Sequence, residues 1–387
     1  MDKYSFLNAA HTAYFADMYE QYLQDPDSIE PTWKAFFQGY DFGSESYGAA
    51  GEIVEGVMTQ IPEQFQKEFQ VIKLIDGYRT RGHLFTKTNP VRDRRKYQPS
   101  LQIENFGLSL KDLTTVFNAG EVIGIGPQSL QVIIEHLEAI YCDAIGVEYM
   151  YIRKPDERQW IQEKLNKNDN HGSFSNQEKK HILKKLNDAV SFETFLHTKY
   201  VGQKRFSLEG NESLIPAVDA LIEKAASYGV KEFVMGMAHR GRLSTLTNIF
   251  GKSASDIFSE FDGKDYEEEV FDGDVKYHLG WTSDRLTDNG NRINLSIAPN
   301  PSHLETVGAV VEGITRAKQD AIQPEDPTKV LPIVVHGDAA IAGQGLVYEV
   351  VQMAQLDGYK TNGTIHIVVN NQIGFTTNYL DARSSTY

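Results

Sequence analysis

The apolar positions of this chain change their period along its length. Near the C-terminal end, Val330-Leu331-Pro332-Ile333-Val334-Val335 and Thr364-Ile365-His366-Ile367-Val368-Val369 are short runs rich in β-branched residues, each closing on small and polar ones. Such runs mark buried strands of a parallel sheet. Between them Gly343-Gln344-Gly345 leads into residues 346–354, where apolar positions recur at helical spacing, and Gly358 follows as a stop signal. The pattern predicts strand, glycine turn, helix, strand. His336-Gly337-Asp338-Ala339-Ala340 and Asn370-Asn371-Gln372-Ile373-Gly374 then leave neighbouring strands at the carboxyl edge, where open α/β sheets bind ligands.

Upstream the period is helical. Residues 6–22 set Leu7, Ala10, Tyr14, Phe15, Met18, Tyr19 and Tyr22 along one side of a helix that Asp25-Pro26 ends. Residues 31–37 carry Trp33, Phe36 and Phe37 in a piece too short to bury them by itself. We read residues 1–40 as an aromatic docking arm, with packing against its own body as the alternative, and the glycine- and serine-rich residues 41–60 as a linker. Residues 61–190 read as a helical domain with helices at 65–82, 109–117, 127–144, 157–166 and 177–190. The join at 86–105 holds the basic run Arg92-Asp93-Arg94-Arg95-Lys96, read as a solvated face. Residues 191–387 read as an α/β domain, with helices at 192–200, 214–228 and 306–319 and further strands at 232–237 and 293–297.

Composition narrows the partners. The 387 residues suffice for two or three domains, and 53 Asp and Glu against 38 Lys and Arg give a net charge of −15. That balance disfavours nucleic acid and anionic membranes. Cys142, the single cysteine, allows no intrachain disulfide and suits a reducing compartment; it is expected as a small buried apolar residue. The first residues fit neither a secretory signal nor a transit peptide. No apolar run approaches the roughly 18 residues that span a bilayer. A cytoplasmic protein is expected.

Several loops at predicted strand ends carry chemistry: His239-Arg240, His278, Ser302-His303, His336-Gly337-Asp338 and Asn371-Gln372-Ile373. Asp338 and Asn371 would sit at adjacent strand ends and offer hard oxygens, which suits Mg²⁺ carrying a diphosphate. Gly241 permits a tight strand-to-helix turn whose first amides face an anion, with Arg240 or Arg242 adding a fork of donors. Zinc spacings, a Gly-x-x-x-x-Gly-Lys phosphate loop, a dinucleotide glycine motif and a Gly-x-Ser-x-Gly elbow are all missing from the sequence, so hydride transfer and serine hydrolysis lose ground.

Gly337-Asp338 with Asn370-Asn371 resembles the thiamine-diphosphate fingerprint, Gly-Asp-Gly followed about thirty residues later by Asn-Asn. Ala339 stands where the general motif has its second glycine, which is the look of the 2-oxoglutarate dehydrogenase branch. Gly236-Met237-Ala238-His239-Arg240-Gly241-Arg242-Leu243, Gly273-Asp274-Val275-Lys276-Tyr277-His278, Asn300-Pro301-Ser302-His303-Leu304-Glu305 and His336-Gly337-Asp338-Ala339-Ala340 are similar to the decarboxylating component of that family. The resemblance, which spans essentially the whole chain, implies a transketolase-like fold. It further implies Mg²⁺ held by Asp338, Asn371 and the Ile373 carbonyl, and thiamine diphosphate lined by Arg240, Ser302, Leu304, Asp338, Ala339, Ala340, Asn371 and Ile373. His239 and His278 are the matching catalytic positions. Arg79, Arg81 and His83 fall in family segments read as structural or regulatory. The implied activity is oxidative decarboxylation of 2-oxoglutarate, with the succinyl group passing to a lipoylated dihydrolipoyl succinyltransferase and dihydrolipoyl dehydrogenase as a further partner. A homodimer in the bacterial cytoplasm is implied too. Since the family's glutamate that activates the aminopyrimidine would lie beyond residue 387, the chain is expected to be C-terminally truncated and inactive alone. A related 2-oxo acid such as 2-oxoadipate, or a non-catalytic scaffold of the same fold, are the alternatives.

Overall fold

The computed structural model describes residues 19–29, 33–34, 37–38, 63–89, 100–261, 278–374 and 376–382. Most of the expected arm, the linker and the basic run at 92–96 lie outside them. The chain divides into two compact units, Met1–Gln70 and Val71–Tyr387. In the first, residues 19–24 are helical and stop before Asp25-Pro26. Tyr22, Ile29, Trp33 and Phe37 are buried together, with Tyr19 and Phe69 against them. Trp33 meets Phe69 edge-on at 6.0 Å, so these arm aromatics find their apolar partner within the unit.

In the second unit, residues up to Leu165 form a helical core. Helix α1 (Glu63–Arg81) contributes Val71, Leu74, Ile75 and Tyr78 to it. Helix α2 (Leu130–Tyr141) contributes Leu130, Ile133, Leu137 and Ile140, an i, i+3, i+7 stripe, and begins at Ser129, whose hydroxyl accepts from Val132 N–H at 3.4 Å. Helix α3 (Pro155–Lys167) opens with proline at a position where no N–H is needed. The helix expected at 109–117 is instead a 3₁₀ turn, Leu110–Thr114, followed by a two-residue strand, Val116–Phe117, paired with Gln128–Ser129. Asp112 accepts from both the backbone and the hydroxyl of Ser109, which closes the tighter turn, and the β-branched Thr-Thr-Val sequence then extends. Cys142 is half-buried rather than buried, and burial followed by the nearby Glu138 charge pushes its thiol up to about 12. Arg79 is buried and donates to Val122 O at 3.1 Å, a structural use.

The helices expected at 177–190 and 192–200 are one, α4 (Asn176–Lys199), begun by a Ser175–Glu178 capping box. Helix α5 (Leu214–Ser227) follows, and then strand β1 (Glu232–Met237), helix α6 (Arg242–Asn248), helix α7 (Ala254–Phe261), strands β2 (Trp281–Leu286) and β3 (Arg292–Ile297), helix α8 (Thr306–Ala321), strand β4 (Val330–Gly337), short helices α9 (Asp338–Gly343) and α10 (Gly345–Met353), and strand β5 (Ile365–Val369). The sheet runs β2-β3-β1-β4-β5. The pairs β3/β1, β1/β4 and β4/β5 are parallel, whereas β2 runs antiparallel along the β3 edge. β2 went unforeseen because its half-exposed Thr282-Ser283-Asp284-Arg285 shows no apolar alternation.

Side-chain alternation divides the sheet between two layers. Phe233, Met235 and Met237 of β1 join Ile293, Leu295, Ile297, Ile333 and Val335 in one core, with α4 to α7 over it. Val234 and Val334 face the other way, onto Val307 and Val311 of α8. A Cβ on Gly236 would sit 2.5 Å from Val311 Cγ2, so the missing side chain sets how closely α8 approaches. On the first side the buried carboxylate of Asp219 gathers His181 at 2.7 Å and Lys185 and Arg285 at 2.9 Å, joining α4, α5 and β2. Among the described residues no helix is long and apolar enough to cross a membrane.

Candidate active site

The carboxyl edge of the parallel strands carries two clusters. The first begins where β1 ends. Gly241, at φ 76°, caps α6 in the left-handed region, and any Cβ there would meet Leu208 Cδ1 at 2.6 Å. The turn throws His239 inward. Its ring stacks on Phe206 with centroids 4.9 Å apart, and its Nε2 lies 3.1 Å from Nε2 of His278, which in turn is 3.2 Å from Ser302 Oγ. Three strand-end loops, after β1, before β2 and after β3, thus meet on one imidazole nitrogen.

Arg242 explains why they meet. It is 0% exposed, and its guanidinium donates to Met237 O at 3.3 Å and to Leu279 O and Ala298 O at 2.7 Å each. Met237 lies two residues before His239, Leu279 follows His278, and Ala298 begins the loop to Ser302. One buried fork therefore holds all three loops. This corrects the expectation that Arg242 adds donors to a phosphate, because its bonds face inward to backbone carbonyls. Two amides of the same turn are also engaged, Gly241 N–H with Phe206 O at 2.9 Å and Arg242 N–H with His239 O at 3.1 Å. Arg240 remains half-buried, with Nη1 donating to Ser207 O at 3.0 Å, one of a guanidinium's five N–H donors.

Burial first, and then the nearby His278, Arg242 and Lys204 side chains, push His239 down to about 4. Two protonated Nε2 atoms cannot face each other at 3.1 Å. With one Nε2 donating and the other accepting, the contact holds one N–H, and that N–H can be passed or donated.

The second cluster lies past β4 and β5. Their register sets Gly337 opposite Val369, so Asp338 and the turn Asn370–Ile373 leave the sheet side by side. Asp338 is buried and opens α9, a short helix that leads into the Gly343-Gln344-Gly345 turn and that the local pattern does not announce. A Cβ placed on Gly374 would lie 3.7 Å from Ala339 Cβ, which shows that the two motif halves pack together. Within the turn Asn370 Oδ1 accepts from Gln372 N–H at 2.9 Å and Asn371 Oδ1 from Ile373 N–H at 3.1 Å, while Gln372 adopts φ 61°. Ile373 is 52% exposed, and because its side chain carries no donor atom only its backbone carbonyl is suited to a ligand role. Ala340 is buried and Leu304 half-buried.

The donor set fits a hard cation. It comprises one carboxylate, one amide oxygen with a second lone pair, and a carbonyl, with no sulfur and no imidazole. Among the described residues no group of three His, Cys, Asp or Glu could hold a metal by itself. The two clusters are linked by Glu305, a residue that no motif in the sequence singles out by itself. At φ 74° it turns the Ser302–Leu304 loop into α8, and its carboxylate meets His336 Nδ1 at 2.5 Å, two residues before Asp338. His336 Nε2 in turn lies 2.8 Å from His366 Nδ1.

Comparison with known proteins matches residues 184–387 to the dehydrogenase E1 component family and residues 4–44 to the 2-oxoglutarate dehydrogenase N-terminus. The chain is 42% identical to a 2-oxoglutarate dehydrogenase E1 component of Azotobacter vinelandii over 98% of its own length and 42% of the relative's. It is 43% identical to the protein of that name in Cupriavidus necator, covering 99% of the chain and 42% of the relative. A multifunctional 2-oxoglutarate metabolism enzyme of Mycolicibacterium vanbaalenii is 48% identical over 83% of the chain and 26% of the relative. The chain therefore spans less than half the length of these relatives.

Proposed function

Because the chain belongs to the dehydrogenase E1 component family, with an N-terminus of the 2-oxoglutarate dehydrogenase type, we propose that it carries the diphosphate- and metal-binding half of a 2-oxoglutarate decarboxylase. The observation that supports this reading is the β4/β5 register, which puts Asp338 and the Asn371–Ile373 turn side by side at the carboxyl edge. Mg²⁺ would be held by the Asp338 carboxylate, the Asn371 side-chain oxygen and the Ile373 carbonyl. Arg240, Ser302, Leu304, Ala339 and Ala340 would line the cofactor. Thiamine diphosphate, when bound, supplies the electron sink for loss of carbon dioxide. The protein's share is binding and proton placement. His239, neutral at pH 7, can donate or accept at Nε2 without adding a buried charge, and His278 shares that N–H with it and with Ser302 Oγ.

The succinyl group would pass to a lipoylated dihydrolipoyl succinyltransferase, with residues 1–40 as the arm that holds the two together, residues 41–60 as its tether, 61–190 as the helical domain and 191–387 as the cofactor domain. A homodimer in the cytoplasm completes the reading. Calorimetry of thiamine diphosphate with Mg²⁺ on the full-length protein tests it. Asp338→Ala is expected to weaken binding by at least about a hundredfold, the effect of removing a buried charged partner. Equal binding by parent and variant would overturn the assignment.

A further inference from the structure

Gln372, between the proposed metal ligands Asn371 and Ile373, makes a contact that spans 283 residues of sequence. Its side-chain Nε2 donates to Asn89 Oδ1 at 3.1 Å, and Asn89 Nδ2 donates back to Gln372 Oε1 at 2.5 Å. The two amides thus exchange a reciprocal pair of hydrogen bonds. Asn89 is itself anchored in the helical core. Two residues before it, Lys87 N–H donates to Asp143 O at 2.9 Å, and Thr86, 1% exposed, donates through Oγ1 to His83 O at 2.6 Å. A Cβ on Gly146 would lie 3.2 Å from Thr86 Oγ1, so the segment is held on two sides.

The far end of the contact is a turn that does not hold itself easily. Gln372 occupies the left-handed region, which is unfavourable for a residue with a Cβ; within the turn Gln372 N–H donates to Asn370 Oδ1 and Ile373 N–H to Asn371 Oδ1, and Ile373–Gly374 pairs with Thr377–Asn378 beyond it. The bond from Ile373 N–H takes one lone pair of Asn371 Oδ1 and leaves the other for a cation. The bonds to Asn89 add a restraint from outside the turn, acting on the residue between Asn371 and Ile373.

We propose that the Asn89–Gln372 amide clasp is a positioning device through which the helical region sets the geometry of the cation-holding turn, so that affinity for a diphosphate-bound divalent ion depends on a residue that never touches it. The inference rests on the cofactor reading above. It predicts that Asn89→Ala and Gln372→Ala, in the full-length protein, each weaken binding of Mg²⁺ with thiamine diphosphate about tenfold, the effect of losing two neutral amide bonds. The double variant should lose no more than either single one, since all three lack the same contact. The exchange of lengths, Asn89→Gln with Gln372→Asn, should restore part of the affinity. Circular dichroism and thermal unfolding without cofactor check that the variants fold, and if Asn89→Ala does not, Gln372→Ala probes the clasp from its other end. Calorimetry reads each outcome. Parent-like affinity in both single variants, or additive losses in the double one, would overturn the clasp and leave the cofactor reading standing. Failure of the parent itself to bind would sink that reading and this inference with it.

Discussion

At the scale of single residues, Arg242 shows how a charged side chain can be structural. Its guanidinium sits in the core with three backbone carbonyls as acceptors, and burial lowers it to about 10 while leaving it charged at neutral pH. Arg242→Met would keep the volume but leave those carbonyls without a donor, at about 1–3 kcal/mol each for the two short bonds. Denaturant unfolding should show a loss of several kcal/mol, and an unchanged midpoint would contradict the staple. His239 makes a pH prediction. Its native value, about 4, lies below the unfolded 6.5, so the native state resists a proton that the unfolded chain accepts. His239 therefore costs nothing above pH 6.5 and progressively lowers stability as pH falls from 6.5 toward 4. Heteronuclear NMR titration of the His239 ring should show no protonation down to pH 5; a midpoint near 6.5 would remove the argument for a neutral donor. The sequence marks the histidines, yet their convergence on one nitrogen depends on Arg242, whose Gly-Arg-Leu setting reads equally as a phosphate fork.

At the scale of elements, the β-branched run at β4 was legible because a parallel strand buried by layers on both faces must be continuously apolar, whereas the equally apolar run at β5 forms the expected strand but at the end of the sheet, with His366 and Val368 exposed. The register between the two was not legible, since it arises from pairing rather than from local preference. β2 and the 3₁₀ turn Leu110–Thr114 escaped for a related reason: antiparallel edge pairing and a local Ser109–Asp112 bond override weak periodicity. Helix α8 depends on one absent methyl group. Gly236→Ala would push its Cβ into Val311, and overpacking of this kind costs about 1–3 kcal/mol. Adding Val311→Ala should recover much of that loss in thermal unfolding, because the smaller partner vacates the contested space. Failure of the second substitution to help would show that α8 is not set by this contact.

At the scale of the molecule, the parallel order β3-β1-β4-β5 brings loops far apart in sequence to one edge, where Glu305 and Arg242 cross-link them. Family resemblance made the residues of this edge legible in advance. It was silent on the links between them, which are side chains bonded to backbone or to other side chains across long separations. The central claim is that Asp338 and Asn371 bind one divalent ion together. Anomalous diffraction from crystals of the full-length protein grown with thiamine diphosphate and Mn²⁺ in place of Mg²⁺ tests this most directly. The account predicts a single peak about 2.0–2.3 Å from an Asp338 carboxylate oxygen, Asn371 Oδ1 and Ile373 O. A peak that touches Asp338 but lies beyond reach of Asn371, or a manganese ion elsewhere in the fold, would contradict it.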